Sequence, residues 1–402
     1  MPNQSLAQDL LLPELHFVKE VVKKQTRFLY CEKRSSFEVC PKCATPTSKV
    51  YDHVSVTPKD APIRSKTIVL VIRKRRFLCV NKNCKSIFRE YIPGVYKGFR
   101  TTARFRSHLR EEASTHMNLK KVKEKNMCSS WLVQKSFYEQ IELELRKQKY
   151  PWPKTIGIDE HAFLRSSKKA QTQFVTVFID YNNRRMKEVV LGKAIGDLHH
   201  RRILETEGRE NVKNVILDLS PTFRSFAMDF FPNARLIADR FHVVKLMHPL
   251  IHELRKKVMQ ENNIQSQRRN PIHYLLLKNY RRMSFIQKRA VEKFLALSSE
   301  LREAFWFLQR LYWIYKIKGQ KKARERLIAL TDDMARSKNK RIRSYRETFH
   351  KWTEQILNYF STNGLNNGRT EGYNRKAKLI QRCAYGFRSF ENYRLKLLYS
   401  CR

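Results

Sequence analysis

Between residues 155 and 239 the chain carries five short apolar runs, "TIGID", "QFVTVFID", "MKEVVLG", "NVILDLS" and "ARLIAD", each ended by polar or turn-forming residues. Runs this short and rich in Val and Ile predict strands, and the helical spacing between the later ones predicts an α/β layer. Nearer the N-terminus, "SKTIVLVIRKRRFLC" predicts another strand within a cysteine-rich region. From Thr101 to about Lys149 the pattern turns helical and polar, and "YPWPK", Tyr150 to Lys154, is a stiff break suited to a linker. From about Arg240 to Phe360 the helical period holds throughout, so helices without strands are expected there. The bulky residues of "AFWFLQRLYWIYK" recur at that period and read as a helix core rather than a base-stacking platform. The last stretch, "GLNNGRTEGYNRKAKLIQRC", predicts a turn followed by a helix. These changes set expected boundaries at 1–98, 99–149, 150–250, 251–360 and 361–402.

Composition narrows the partner. The 402 residues hold 82 Lys and Arg against 37 Asp and Glu, a formal charge of +45 spread along the whole chain. Self-repulsion on that scale calls for a polyanion, and nucleic acid releases counterions to Lys and Arg whatever its sequence. An anionic membrane is the rival, but no apolar run approaches the roughly 18 residues of a span. The start "MPNQSLAQDL" lacks the charged and apolar regions of a signal peptide, so a reducing cytoplasm is expected. There, the eight cysteines point to metal binding rather than disulfides.

Four of those cysteines fall as two close pairs, Cys40 with Cys43 and Cys79 with Cys84, a spacing that suits one tetrahedral Zn²⁺. The plainer alternative is four reduced buried thiols. Farther on, "MNLKKVKEKNMCSSWLVQKSFYEQ" has helix-turn-helix spacing, with a turn at Asn126 and Met127 and a cap at Ser129 or Ser130. A second helix presenting Ser130, Trp131, Gln134 and Lys135 would suit the major groove, although any helical hairpin has this pattern. Three of the five runs, "TIGID", "NVILDLS" and "ARLIAD", carry the candidate acids Asp159, Asp218 and Asp239 near their ends. Acids after strands cluster at one edge of an α/β sheet, where neighbouring carboxylates call for Mg²⁺ or Mn²⁺. Alternatively each acid caps the helix that follows, as Asp218 before Ser-Pro-Thr can. Glu371 is the only acid between Glu354 and Glu391, amid Arg369, Arg375, Lys376 and Lys378. A purely phosphate-holding segment would omit it. On a helix it shares a face with Asn374 and Lys378, so ligand, polar contact and cation line up.

Taken together, these blocks resemble the DDE transposases of bacterial insertion sequences, in particular the ISL-three family. The resemblance runs from the cysteine ribbon through "IGIDEHAF" and "VILDLSPTFRSFAMDFFPNARLIADRFHVVKLM" to "NGLNNGRTEGYNRKAKLIQRCAYGFRSFENYRLKLL". It implies a multidomain α+β chain. An N-terminal zinc ribbon and a helix-turn-helix would precede an RNase H-like α/β catalytic domain, interrupted by an all-helical insertion before a final helix carrying Glu371. Asp159, Asp218 and Glu371 match the catalytic acids and ligands of two Mg²⁺ or Mn²⁺ ions. Lys378 matches the basic residue that follows the third acid, and Asp239 with His242 a supporting pair. In this chain Ser166 to Lys169 stand where the first hairpin is expected to carry a glycine turn. The implied activity is metal-dependent cleavage and strand transfer of double-stranded DNA. The chain would bind terminal inverted repeats and target DNA as a homodimer or higher oligomer, in the bacterial cytoplasm at the nucleoid, with no membrane partner. Two other functions fit the same residues: a nuclease or junction resolvase on that fold, and a non-catalytic DNA-binding regulator.

Overall fold

The structure, a computed structural model, describes residues 11–116, 118–147, 150–164, 171–265 and 271–402; the turn at Ser166 to Lys169 lies outside them. The chain divides into two compact units, Met1–Lys147 with Ile380–Phe387, and Gln148–Leu379 with Arg388–Arg402. No helix among the described residues is long and apolar enough to cross a membrane.

The first unit contains β1 (Leu15–Lys23), β2 (Thr26–Lys33), β3 (Glu38–Val39), β4 (Pro46–Thr47), β5 (Val50–Val56), β6 (Lys59–Ile63), β7 (Lys66–Leu78) and β8 (Ile87–Arg89). β7 is the long apolar run of the sequence and the centre of the sheet, parallel to β2 and antiparallel to β5, β6 and β8. Its alternate residues Ile68, Leu70 and Ile72 are buried with Leu15, Leu29 and Ile92, as a strand with one covered face requires. In its basic half, Arg75 pairs with Glu90 at 2.9 Å and Arg76 pairs with Asp52. Those two charges are therefore matched by carboxylates within the sheet, whereas Arg73 is exposed.

Three helices follow, Ala103–Thr115, Leu119–Lys125 and Ser130–Lys147. Thr102 caps the first by accepting from the Phe105 N–H, and Phe105, Leu109 and Ala113, four apart, form its buried stripe. Asn126 to Ser129 turn the chain, with Met127 at φ 43°. The Ser129 hydroxyl then accepts from the Leu132 N–H at 3.1 Å, and Val133, Phe137 and Ile141 bury the inner face of the third helix.

The second unit is built on β9 (Thr155–Leu164), β10 (Gln173–Asp180), β11 (Arg185–Leu191), β12 (Asn214–Leu217) and β13 (Arg235–Ala238), in the order β11-β10-β9-β12-β13. The first three are antiparallel, whereas β12 runs parallel to both β9 and β13. Helix Pro221–Phe230 makes the crossover between the last two strands. Arg240 to Ser361 is helical, with no strand among the described residues. One core runs from Ile156 and Val215 of the sheet to Leu308, Leu327 and Phe349 of these helices. In Ser299–Ile314 the residues Phe305, Phe307, Leu308 and Leu311 are buried. Helix Gly368–Cys383 then returns to the sheet and Phe390–Ser400 closes the chain.

Candidate functional site

The cysteine pairs converge through two turns. Cys40 and Cys43 sit between β3 and β4, and Cys79 and Cys84 between β7 and β8. Each turn is closed on its own backbone: Ala44 N–H donates to Cys40 O at 2.9 Å, and Cys84 N–H to Asn81 O at 3.0 Å. Their sulfurs all lie within 4.8 Å of one another, with Cys43 to Cys79 at 3.5 Å and Cys40 to Cys84 at 3.8 Å. Four sulfurs around Zn²⁺ at about 2.3 Å stand roughly 3.8 Å apart, so the donor set fits a closed structural site.

The acids are brought together by strand order. β12 pairs with β9 as Val215↔Ile156 and Ile216↔Gly157, and with β13 as Leu217↔Ala238. Continuing those parallel registers sets Asp159, Asp218 and Asp239 abreast across three neighbouring strands. They then part in role. Asp239 is buried and caps helix Arg240–Lys245, accepting from the His242 N–H at 3.3 Å and His242 Nδ1 at 2.9 Å. Its other oxygen takes the Asn367 N–H at 2.9 Å, latching the turn before helix Gly368–Cys383 to the sheet. For Asp239, capping is thus a real role. For Asp218 it is not: Ser220 caps Pro221–Phe230, and Asp218 accepts the Ser220 N–H on one oxygen at 3.1 Å.

Asp159 is 9% exposed. It accepts the Glu160 N–H at 2.8 Å and the Asn374 side-chain amide at 2.9 Å. Because that amide donates its hydrogen to Asp159, its oxygen faces His161 Nδ1 at 2.9 Å, while His161 Nε2 meets the Tyr393 hydroxyl at 2.7 Å. Burial pushes His161 down to about 4, so the ring is neutral, with its proton on Nδ1 and Tyr393 donating to Nε2. This chain of bonds orients Asp159 from the last two helices. It also gives His161 a role that the sequence pattern did not signal.

Glu160 follows Asp159 directly, and consecutive strand residues ordinarily face opposite ways. Its carboxylate nevertheless joins those of Asp159 and Asp218, with ligand oxygens within 4.8 Å of one another. Glu160 Oε1 lies 3.5 Å from Lys193 Nζ, and Oε2 is buried with no donor in reach. Burial raises both Asp159 and Asp218 to about 6, and Glu160 adds repulsion on Asp218. Three crowded carboxylates, one with an orphaned oxygen and two held above their ordinary range, fit a divalent cation that would neutralise them.

Glu371 stands apart from that group. It lies in the first turn of Gly368–Cys383, 33% exposed at the side chain, 3.9 Å from Arg375. Of the face it shares, Asn374 reaches Asp159, and Lys378 is exposed but close enough for its charge to depress His161. The helix comes this near because residue 157 is glycine. A Cβ there would stand 2.4 Å from Thr370 Oγ1 and 2.6 Å from the Tyr181 ring.

In the first unit, Ser130, Trp131 and Gln134 are exposed on the outer face of their helix and Lys135 is half-buried. The Lys135 ammonium lies 4.6 Å from the Trp131 ring centre and 3.7 Å from Glu139.

Residues 156–397 match a family model for ISL-three DDE enzymes, described as "Transposase". Residues 36–84 match one described as "zinc-finger of transposase IS204/IS1001/IS1096/IS1165". A search of curated proteins found no match.

Proposed function

The chain belongs to the ISL-three family of DDE transposases, with its zinc ribbon at the N-terminus, and from that premise we propose that it cuts the ends of an insertion sequence and joins them to target DNA. The observation that carries this reading is Asp159 and Asp218 set abreast by β9 and β12, with Glu160 Oε2 unsatisfied beside them. Three antiparallel strands followed by two parallel ones support an RNase H-like catalytic domain, interrupted by the helical stretch that follows Asp239. In this reading Asp159, Asp218 and Glu371 hold two Mg²⁺ or Mn²⁺ ions. Asn374 fixes the Asp159 carboxylate, the Asp239–His242 pair anchors helix Gly368–Cys383, and Lys378 meets phosphate. Glu371, which lies beside Arg375, would supply the third carboxylate of that set. The bound ions would activate water or a DNA 3′-hydroxyl and stabilise the departing oxygen.

Helix Ser130–Lys147 would read the inverted repeats through Ser130, Trp131, Gln134 and Lys135, as the second helix of a helix-turn-helix. Transposition at paired ends would need a dimer or higher oligomer. The test is Asp159→Asn, Asp218→Asn and Glu371→Gln on one labelled transposon end in Mg²⁺. Cleavage and joining are expected to fall by about 10³-fold or more, roughly 4 kcal/mol of barrier, with end binding intact. Robust cleavage by any one variant removes that residue from the site. Cutting by the wild type without joining makes the chain a nuclease instead.

A further inference from the structure

Within the helical stretch, two adjacent large apolar side chains are held out to solvent. Phe285 and Ile286 are the first two residues of helix Phe285–Leu295, and they are 73% and 79% exposed. Nothing loose accounts for this. Ser284 and Gln287 form a reciprocal capping box, with Gln287 N–H to Ser284 Oγ at 3.3 Å and Ser284 N–H to Gln287 Oε1 at 3.2 Å. The preceding turn, Tyr280–Arg282, is pinned as well: the Tyr280 N–H donates to Gln309 Oε1 at 2.8 Å, and its ring lies 5.4 Å from that of Trp306. Met283 on one side and Val291, Phe294 and Leu295 on the other are buried, so the pair is held out by its own foundation.

Of the neighbouring cations, Arg281, Arg282 and Arg289 are exposed and Lys288 is half-buried with its Nζ 5.1 Å from the Tyr280 ring centre, and none of the four forms an ion pair among the described residues. The Arg289 guanidinium lies 5.8 Å from the Phe285 ring, and the nearby Glu292 accepts the Tyr280 hydroxyl. An exposed apolar pair beside cations matches DNA, where apolar side chains enter between base pairs while Lys and Arg neutralise the flanking phosphates. A second copy of this chain fits poorly, because a two-fold contact would bring the same four cations face to face.

We propose that Phe285 and Ile286 are a wedge that enters duplex DNA at a base step and unstacks it, with Arg281, Arg282, Lys288 and Arg289 gripping the phosphates on either side. The proposal rests on the reading of this chain as a DNA-binding transposase. The full-length, zinc-loaded protein is titrated with duplexes covering the DNA on either side of its own reading frame, each with 2-aminopurine at one adenine. Binding should raise emission several-fold at one step and its neighbour. The F285S/I286S double variant, altered only at exposed positions, should melt like the wild type, still bind the duplex and lose that rise; F285W should keep it. Saturated binding with silent 2-aminopurine at every position overturns the wedge alone, as does a rise retained by the double variant. Failure of the wild type to bind any duplex overturns the DNA reading and the wedge together. A wild-type oligomer that the double variant reduces to monomers, or phosphatidylglycerol vesicle binding that it abolishes, with 2-aminopurine silent, assigns the pair to protein or lipid and overturns the proposal.

Discussion

The cysteine site and the acid site of this chain are both clusters of metal-type ligands, yet they are assembled in opposite ways. The four sulfurs come from two short turns closed by their own backbone hydrogen bonds, and they complete a tetrahedron by themselves. The acids come from two strands, Asp159 and Glu160 in β9 and Asp218 just after β12, and they leave an oxygen unsatisfied and two carboxyls raised to about 6. A closed sulfur set adds metal-binding energy to folding, whereas an open oxygen set holds repulsion that folding elsewhere must offset. On the proposed reading, the first is a fastener and the second a site kept ready for a ligand.

Zinc removal gives the largest effect. Cys40→Ser or Cys79→Ser, or a strong chelator, should unfold the ribbon of the first unit while the second retains its own melting transition. The metal-linked free energy is on the order of 10 kcal/mol. Calorimetry with metal analysis checks it, and a wild type that carries no zinc breaks the comparison at its first half.

The approach of helix Gly368–Cys383 to β9 is tested next. Gly157→Ala sets a methyl against Thr370 and Tyr181 in a buried strand, which should cost about 1–3 kcal/mol in urea unfolding. DNA cleavage should fall with it, because Asn374 rides on the displaced helix. Unchanged stability would mean that the helix yields easily and does not position Asp159.

A smaller effect of opposite sign is expected at the acids. Asp159 and Asp218 have folded pKa values raised from 3.8 to about 6. Between those values the folded state binds more protons than the unfolded, so metal-free stability falls as pH rises from about 4 to about 6 and stays low above. Asp218→Asn should therefore raise metal-free stability at pH 7.5, on the order of 1–2 kcal/mol, and abolish the stabilisation by Mg²⁺ seen in the wild type. Loss of stability in that variant would show that Asp218 holds the fold rather than a cation.

The smallest effect separates recognition from chemistry. Alanine at Gln134 should weaken end-specific binding by about 1 kcal/mol while binding to random duplex and cleavage of bound DNA are retained. Equal loss on both DNAs would make the outer face of that helix a phosphate contact only.

What the sequence determined by itself is whatever depends on near neighbours. Apolar runs marked β7 and β9 to β13, helical spacing marked the stretch after Asp239, and two cysteine pairs announced their tetrahedron, because turns, strands and zinc knuckles are set over a few residues. Asp159 and Asp218 were legible as acids closing apolar runs, although β9 continues past Asp159 to Leu164, and Asn374 was legible only as a polar residue on the face of Glu371. Only the tertiary structure decided which acid caps a helix and which stands open, since Ser220 and Asp239 cap while Asp218 does not. It also decided that Glu160 enters the cluster and that His161, Asn374 and Tyr393 form one chain of hydrogen bonds. Finally, it left Glu371 beside Arg375 rather than among the acids. Those facts depend on strand register and on a helix arriving from two hundred residues away. No local pattern encodes them, because each is fixed by what packs against it.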